Sequence, residues 1–177
     1  MHGMPVLIPP TVTLHESWLA ARDEWPPGAH MDGHGVRETD DVDSAHGFAT
    51  WVADLHAQAD PAIPPVPGWV HCTYRWIVED DAYLGSIALR HTLNTMLFEA
   101  GGHIGYGIRP SARRRGLASW ALTQTLDTAR AMGLDRVLIS CNPANVASAR
   151  VIESHGGVHE DTRTAGAHTV KRYWITL

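Results

Sequence analysis

The 177-residue chain carries a formal net charge of −5, 44% hydrophobic residues and two cysteines, which is apolar content enough for one buried core. Two thiols are too few for a disulfide framework, and no window approaches the roughly 18 uninterrupted apolar residues of a membrane span. The start, MHGMPVLIPP, lacks the charged n-region and long apolar run of a secretory leader, so a soluble, cytoplasmic, single domain over 1–177 is expected. Charge is uneven. Lys and Arg number 4 against 14 Asp and Glu over 1–100, a net of −10, and 10 against 5 over 101–177, a net of +5. The basic half suits a polyanionic ligand and the acidic half a cationic one, by electrostatic steering; plain solubility explains the acidic half equally well.

In chain order, 6–10 is a short apolar run closed by two prolines and reads as an edge strand. Thr13 offers an N-cap for a helix through Arg22, with Leu14, Trp18 and Leu19 on its inner face. Residues 25–35, rich in Pro, Gly and Asp, form a loop. Its His30 and His34 raise the idea of a metal pair, but no third ligand follows at fitting spacing, so no metal is expected. Asp43 or Ser44 opens a second helix in which Phe48, Trp51, Val52, Leu55 and His56 recur at helical spacing. The four prolines of 60–68 make a stiff surface connection. Segments 69–78 and 83–89 then form a hairpin across the polar turn Glu79, Asp80, Asp81.

The stretch 102–118, GHIGYGIRPSARRRGLA, organises the rest. Residues 103–108 alternate and carry β-branched and aromatic side chains, as a strand does, and Pro110, lacking an N–H, ends it. Gly105 and Gly107 leave room for another backbone or relieve packing. Arg113, Arg114, Arg115 and Gly116 lead into a helix ending near Met132, with Leu117, Trp120, Ala121, Leu122 and Leu126 on its apolar face. The first N–H groups of a helix are unpaired and carry partial positive charge. Gly116 leaves the backbone bare there, Ala118 and Ser119 keep the first turn open, and the arginines add charge-assisted donors. A pyrophosphate cradle is the functional reading, a solvated basic cap the plainer one. Residues 136–140 are a buried strand, 144–155 a helix stopped by Gly156 and Gly157, and strands near 158–164 and 170–177 flank a turn at Ala165 and Gly166.

Ile108, Pro110, Arg113, Gly116 and Ala118 at this spacing resemble the acetyl-CoA signature of the GNAT superfamily of N-acetyltransferases. Asn145, Ser148, Val151, Ile152, Glu153, Gly156 and Gly157 are similar to its second cofactor segment. LRHTLN at 89–94 and GGHIGYGIRPSARRRG at 101–116 also resemble a bacterial subgroup of predicted acetyltransferases. The resemblance implies a mixed α/β fold, β-α-α-β-β-β-α-β-α-β-β, whose central parallel strands splay apart to admit pantetheine. It implies acetyl-CoA as co-substrate, held by Tyr106, Gly107, Ile108, Arg113, Arg114, Arg115, Gly116, Leu117, Ala118, Ser119, Asn145 and Ser148. Residues 1–100 then form the acceptor-side half, with the two helices and the loop between them lining the acceptor site. Residues 101–177 form the acetyl-CoA-binding half.

The reaction so implied is direct attack of an amine on the acetyl thioester, without a covalent enzyme intermediate. Alignment of the substrates supplies much of the rate, and amides near Tyr106 to Ile108 polarise the carbonyl. An alkylamine, with a pKa of about 10.4, arrives protonated and needs a base. His103, Glu99 and His91 are candidates; His103 has the best intrinsic pKa, although alternation turns it away from Gly102, Ile104 and Tyr106. Many superfamily members place a glutamate near Gly102 or a tyrosine at Ile152; with neither here, Tyr106 and Tyr173 are the substitute acids. A small cationic amine is the expected acceptor, and a protein or peptide amine the alternative. A non-catalytic acyl-CoA-binding module would keep the cradle without a base. The chain has no basic stripe beyond the arginine triplet, so neither nucleic acid nor membrane is an expected partner; a homodimer is compatible with the sequence.

Overall fold

Turn and capping chemistry sets the element boundaries in the computed structural model, which describes residues 3–177; the first two residues of the N-terminal stretch lie outside it. Strand β1, Val6–Ile8, stops ahead of Pro9 and Pro10. Thr11, rather than Thr13, caps the next turn: its hydroxyl accepts the Thr13 N–H at 3.3 Å, and a 3-10 turn over Val12–Leu14 leads to helix α1, His15–Arg22. Helix α2, Ala45–Ala59, opens on Ser44, which accepts the Gly47 N–H at 3.0 Å. The hairpin comprises β2, Cys72–Glu79, and β3, Ala82–Arg90, joined through Asp80 and Asp81 at φ 48° and 61°. Asp visits this left-handed region more readily than most residues.

A π-helical turn over Leu97–Gly101, which the sequence pattern does not announce, precedes β4, Ile104–Ile108. Helix α3, Leu117–Ala131, β5, Arg136–Cys141, α4, Val146–Ser154, β6, Val158–Ala165, and β7, His168–Thr176, complete the expected order. The strands form one mixed sheet in the order β1-β2-β3-β4-β5-β7-β6, antiparallel except between β4 and β5. Helices α1 and α2 cover one face, where Trp18, Phe48, Trp51 and Leu55 pack with Trp76 and Tyr83. Helices α3 and α4 cover the other, where Leu117, Leu122, Leu126 and Ile152 pack with Ile87, Ile104 and Ile139. Cys72 and Cys141 are free and buried.

Strands β4 and β5 pair at Ile104 with Ile139 and then separate. Gly102, at φ 69°, brings the chain so near β5 that a Cβ there would lie 2.5 Å from the Leu138 carbonyl oxygen. The His103 N–H donates to that oxygen at 2.7 Å, and the Leu138 N–H donates to His103 Nδ1 at 2.9 Å. The imidazole thus takes the place of a ladder carbonyl where the strands begin to part. On the β3 side, the Arg90 N–H donates to His103 O at 2.7 Å and the Arg109 N–H to Leu84 O at 2.8 Å. Bonds to β3 therefore fall on odd-numbered residues of β4, and the amides of Tyr106 and Ile108 point into the opening toward β5.

The opposite face of β4 is covered by residues 32–34. Gly33 sits at φ 77°, and a Cβ on it would lie 2.4 Å from the Gly105 carbonyl oxygen and 2.8 Å from Tyr106 Cα. A Cβ on Gly107 would lie 2.8 Å from the Asp32 carbonyl oxygen. Gly105 and Gly107 do admit another backbone, and it is the chain's own loop. The buried Ser86 hydroxyl pins that loop, donating to Gly33 O at 2.7 Å. Gly33→Ala is expected to lower stability by about 2 kcal/mol or more, since left-handed strain and a backbone clash coincide. Gly28, at φ 76° with nothing within 4 Å of a Cβ, pays the strain alone; thermal denaturation of Gly28→Ala beside Gly33→Ala separates the two costs.

Candidate functional site

The opening between β4 and β5 continues into a cavity of about 760 Å³ that brings the two sequence signatures together. Tyr106, Gly107 and Ile108 line it from β4, Arg113, Arg114, Gly116, Leu117, Ala118 and Ser119 from the turn into α3, and Asn145 and Ser148 from α4. The volume is ample for an extended small-molecule ligand. The first backbone bond of α3 runs from the Trp120 N–H to Gly116 O at 2.9 Å, and Gly116, at φ 77°, provides no side-chain cap. The amides of Gly116 to Ser119 are consequently unpaired at the positive end of a helix. A Cβ on Gly116 would meet nothing within 4 Å, so the approach to these amides is open.

The three arginines have different tasks. Arg113 donates through Nε to Ile108 O at 3.1 Å and stacks over the Trp25 ring at 4.8 Å. Arg115 turns away from the cavity and donates to both carboxylate oxygens of the buried Glu79, at 2.8 and 2.7 Å. Expected to bind cofactor, Arg115 lies outside the cavity lining, and its side chain ties the turn to the end of β2. Arg114 lines the cavity, and its backbone sits at φ 64°, a left-handed strain that persists where the surroundings impose it. Asn145 caps α4, its Oδ1 accepting the Ser148 N–H at 3.1 Å, while still lining the cavity.

Among the candidate acids and bases, Tyr106 is the one that lines the cavity. Its hydroxyl pairs with Ser148 Oγ at 2.8 Å across the opening, and burial pushes its pKa up to about 12. His103 lies outside the cavity lining: its Nδ1 is engaged by the Leu138 amide, and burial followed by the nearby Arg90 charge brings its pKa down to about 4. Glu99, on the π-helical turn, faces β6 and pairs with Arg163 at 3.0 Å. His91 pairs with Thr73 Oγ1 at 2.8 Å, and Tyr173 is packed in the core. Alternation accounts for the His103 position, because odd residues of β4 face away from Tyr106.

Three residues outside the expected site set line the cavity from the loop before α2, Trp25, His30 and Asp32; the sequence points to His30 only as half of a metal pair. His30 Nε2 lies 3.0 Å from Asp32 Oδ1, and that hydrogen bond raises the His30 pKa against burial and Arg90. His34, by contrast, is buried and donates through Nδ1 to the Asp32 carbonyl at 2.9 Å. The two histidines do not converge, and among the described residues no group of three His, Cys, Asp or Glu side chains could hold a metal. No helix among them is long and apolar enough to cross a membrane.

Residues 31–158 match the family described as "Acetyltransferase (GNAT) domain". Solved structures of the same fold include RimJ from Mycobacterium smegmatis, in complex with CoA-disulfide, with a TM-score of 0.70 and 20% identity, covering 98% of this chain and 82% of that one. The ribosomal-protein-S5-alanine acetyltransferase from Vibrio fischeri superposes with a TM-score of 0.69 and 18% identity, covering 97% and 91%. An acetyltransferase from Salmonella typhimurium that modifies the N-terminal serine of ribosomal protein L7/L12 gives 0.68 and 15%, covering 98% and 95%. No curated protein sequence matches the chain.

Burial of His34 and His103 has a pH consequence. Desolvation holds both pKa values at about 4, below the ordinary 6.5. The unfolded chain therefore binds more protons than the native one between these values. Stability is fully present above about 6.5 and falls as pH drops toward about 4. Denaturant midpoints across this interval are expected to fall more steeply for the native sequence than for a His34→Gln, His103→Asn double variant.

Proposed function

The chain belongs to the GNAT acetyltransferase family, and from that premise we propose that it is an acetyl-CoA-dependent N-acetyltransferase acting on a primary amine. The observation that carries this reading is the meeting of both motifs in one cavity, at the point where β4 and β5 separate. The residues fit acetyl-CoA. Bare amides at Gly116 to Ser119 and the Arg114 guanidinium would hold its diphosphate. The amides of Tyr106 and Ile108 face the opening, where a pantetheine arm needs donors. When bound, the co-substrate supplies an activated acetyl thioester. The same β4 amides would polarise its carbonyl, and the Tyr106 hydroxyl, protonated at neutral pH, is the proton donor in the cavity.

The acceptor is a small amine carrying one positive charge near the reacting nitrogen. Asp32 is the carboxylate in the cavity lining, so one ammonium, rather than an extended polycation, finds a partner there. An N-terminal amine of a protein is the second reading, favoured by the ribosomal-protein acetyltransferases among the structures of this fold. Thiol release measured against a panel of small amines and short peptides separates these acceptors, and binding without release under every condition would leave only an acyl-CoA-binding module. Arg114→Ala is expected to weaken acetyl-CoA binding about tenfold or more, the range of a lost charged hydrogen bond. Gly116→Trp should abolish binding. Arg115→Ala, whose guanidinium serves Glu79, should weaken it less than Arg114→Ala. Calorimetric titration with acetyl-CoA checks all three, and unchanged affinity in both Arg114→Ala and Gly116→Trp would refute the cradle.

A further inference from the structure

We propose that His30, held by Asp32 on the loop before α2, is the general base that deprotonates the acceptor amine. This rests on the transferase reading above and assigns a residue that reading leaves open. Both side chains line the cavity and are solvent-accessible, at 86% and 65% exposure, so an acceptor approaching the opening meets them from the α1–α2 side. With Nε2 donating to Asp32 Oδ1 at 3.0 Å, the free lone pair is on Nδ1. A histidine oriented by a carboxylate is a common arrangement for moving protons near neutral pH.

The loop is fixed tightly enough for this task. Gly33 lies against the Gly105 carbonyl, Ser86 holds Gly33 O, and His34 Nδ1 donates to Asp32 O at 2.9 Å. These contacts set residues 32–34 directly above Gly105 to Gly107, on the strand whose amides border the opening. The charged and titratable groups around His30 are Asp32, Arg90 at the end of β3, and the deeper His34. Asp32 favours the imidazolium and Arg90 opposes it. The other basic candidates are spent elsewhere, His103 on the Leu138 amide and Glu99 on Arg163.

The acceptor ammonium gives one proton to His30 Nδ1, which passes it to solvent. The freed lone pair forms the N–C bond to the acetyl carbonyl as the C–S bond breaks. The nitrogen loses its second proton to solvent, the Tyr106 hydroxyl gives its proton to the departing sulfur, and the tyrosinate takes a proton back from solvent, so that one proton is released overall. The products are the acetamide and a free thiol.

Histidine NMR titration of the free protein, and kcat/KM against pH with the small monoamine propylamine or a peptide bearing a free N-terminal serine, test the assignment together. His30→Gln is expected to lower kcat/KM about 100-fold or more, to remove the acid limb of the profile, and to weaken acetyl-CoA binding less than Arg114→Ala does. Asp32→Asn is expected to lower the His30 pKa read by NMR and move the acid limb to lower pH by the same interval. A His30→Gln enzyme with the native rate and limb would overturn the proposal, as would an unmoved His30 titration in Asp32→Asn. Absence of thiol release by the native enzyme with both probes would overturn the transfer reading, while the NMR arm still decides whether the pair is coupled.

Discussion

The pairing of Ile104 with Ile139 is where the sheet stops being continuous, and the cavity depends on its stopping there. Parallel strands ordinarily satisfy each other's backbone along their length, so parting them leaves donors that cost about 1–3 kcal/mol each if buried and unpaired. The chain contains that cost by sealing the closed end and leaving the open end accessible. Gly102 allows contact close enough for the His103 N–H to reach Leu138 O, and the His103 ring accepts the Leu138 N–H in return. Past this seal the amides of Tyr106 and Ile108 border a cavity, where solvent or a ligand satisfies them. His103 thereby matters to the site through the backbone geometry it fixes.

One strand serves two purposes because side chains alternate along it. The even positions of β4, Ile104, Tyr106 and Ile108, face α3 and α4, and Tyr106 reaches Ser148 on that side. The odd positions Gly105 and Gly107 present almost no surface, and the loop at 32–34 settles onto them. Bulk on one face anchors the strand in the core; its absence on the other lets backbone meet backbone. The side chains facing α3 and α4 and the loop at 32–34 are thus separated by the thickness of a single strand.

This division explains what could be read in the sequence and what could not. Element order was legible because periodicity, Pro110, Ser44 and the Asp80–Asp81 turn are local signals. So was the bare, uncapped start of α3, since Gly116 and the helix are adjacent in the chain. The partner of Arg115 was hidden, because Glu79 lies at the end of β2, 36 residues away, and nothing beside Arg115 announces it. His30 and His103 have the same intrinsic pKa, and only the fold buries one and exposes the other beside Asp32. The π-helical turn at Leu97–Gly101 leaves no periodic trace in so few residues.

The charge asymmetry takes on a different meaning once partners are known. The net of −10 over 1–100 and +5 over 101–177 suggested one half drawing in a cation and the other an anion. Three acidic residues of the first half are instead neutralised by arginines of the second: Glu24 by Arg109, Glu79 by Arg115, and Glu99 by Arg163. Arg109 and Glu24 are mostly buried, so solvent screens that pair little, and Glu24 is held well below the usual carboxylate range, at about 2. Two of these pairs, at Arg109 and Arg115, fasten the N-terminal half to the end of β4 and to the turn into α3. The charged side chains left in the cavity lining are few: Arg114 near the bare start of α3, and Asp32 with His30 on the loop before α2. Recognition at these points depends on position more than on long-range field, because a charge pair a few ångströms apart outweighs distant charges screened beyond about 8–10 Å.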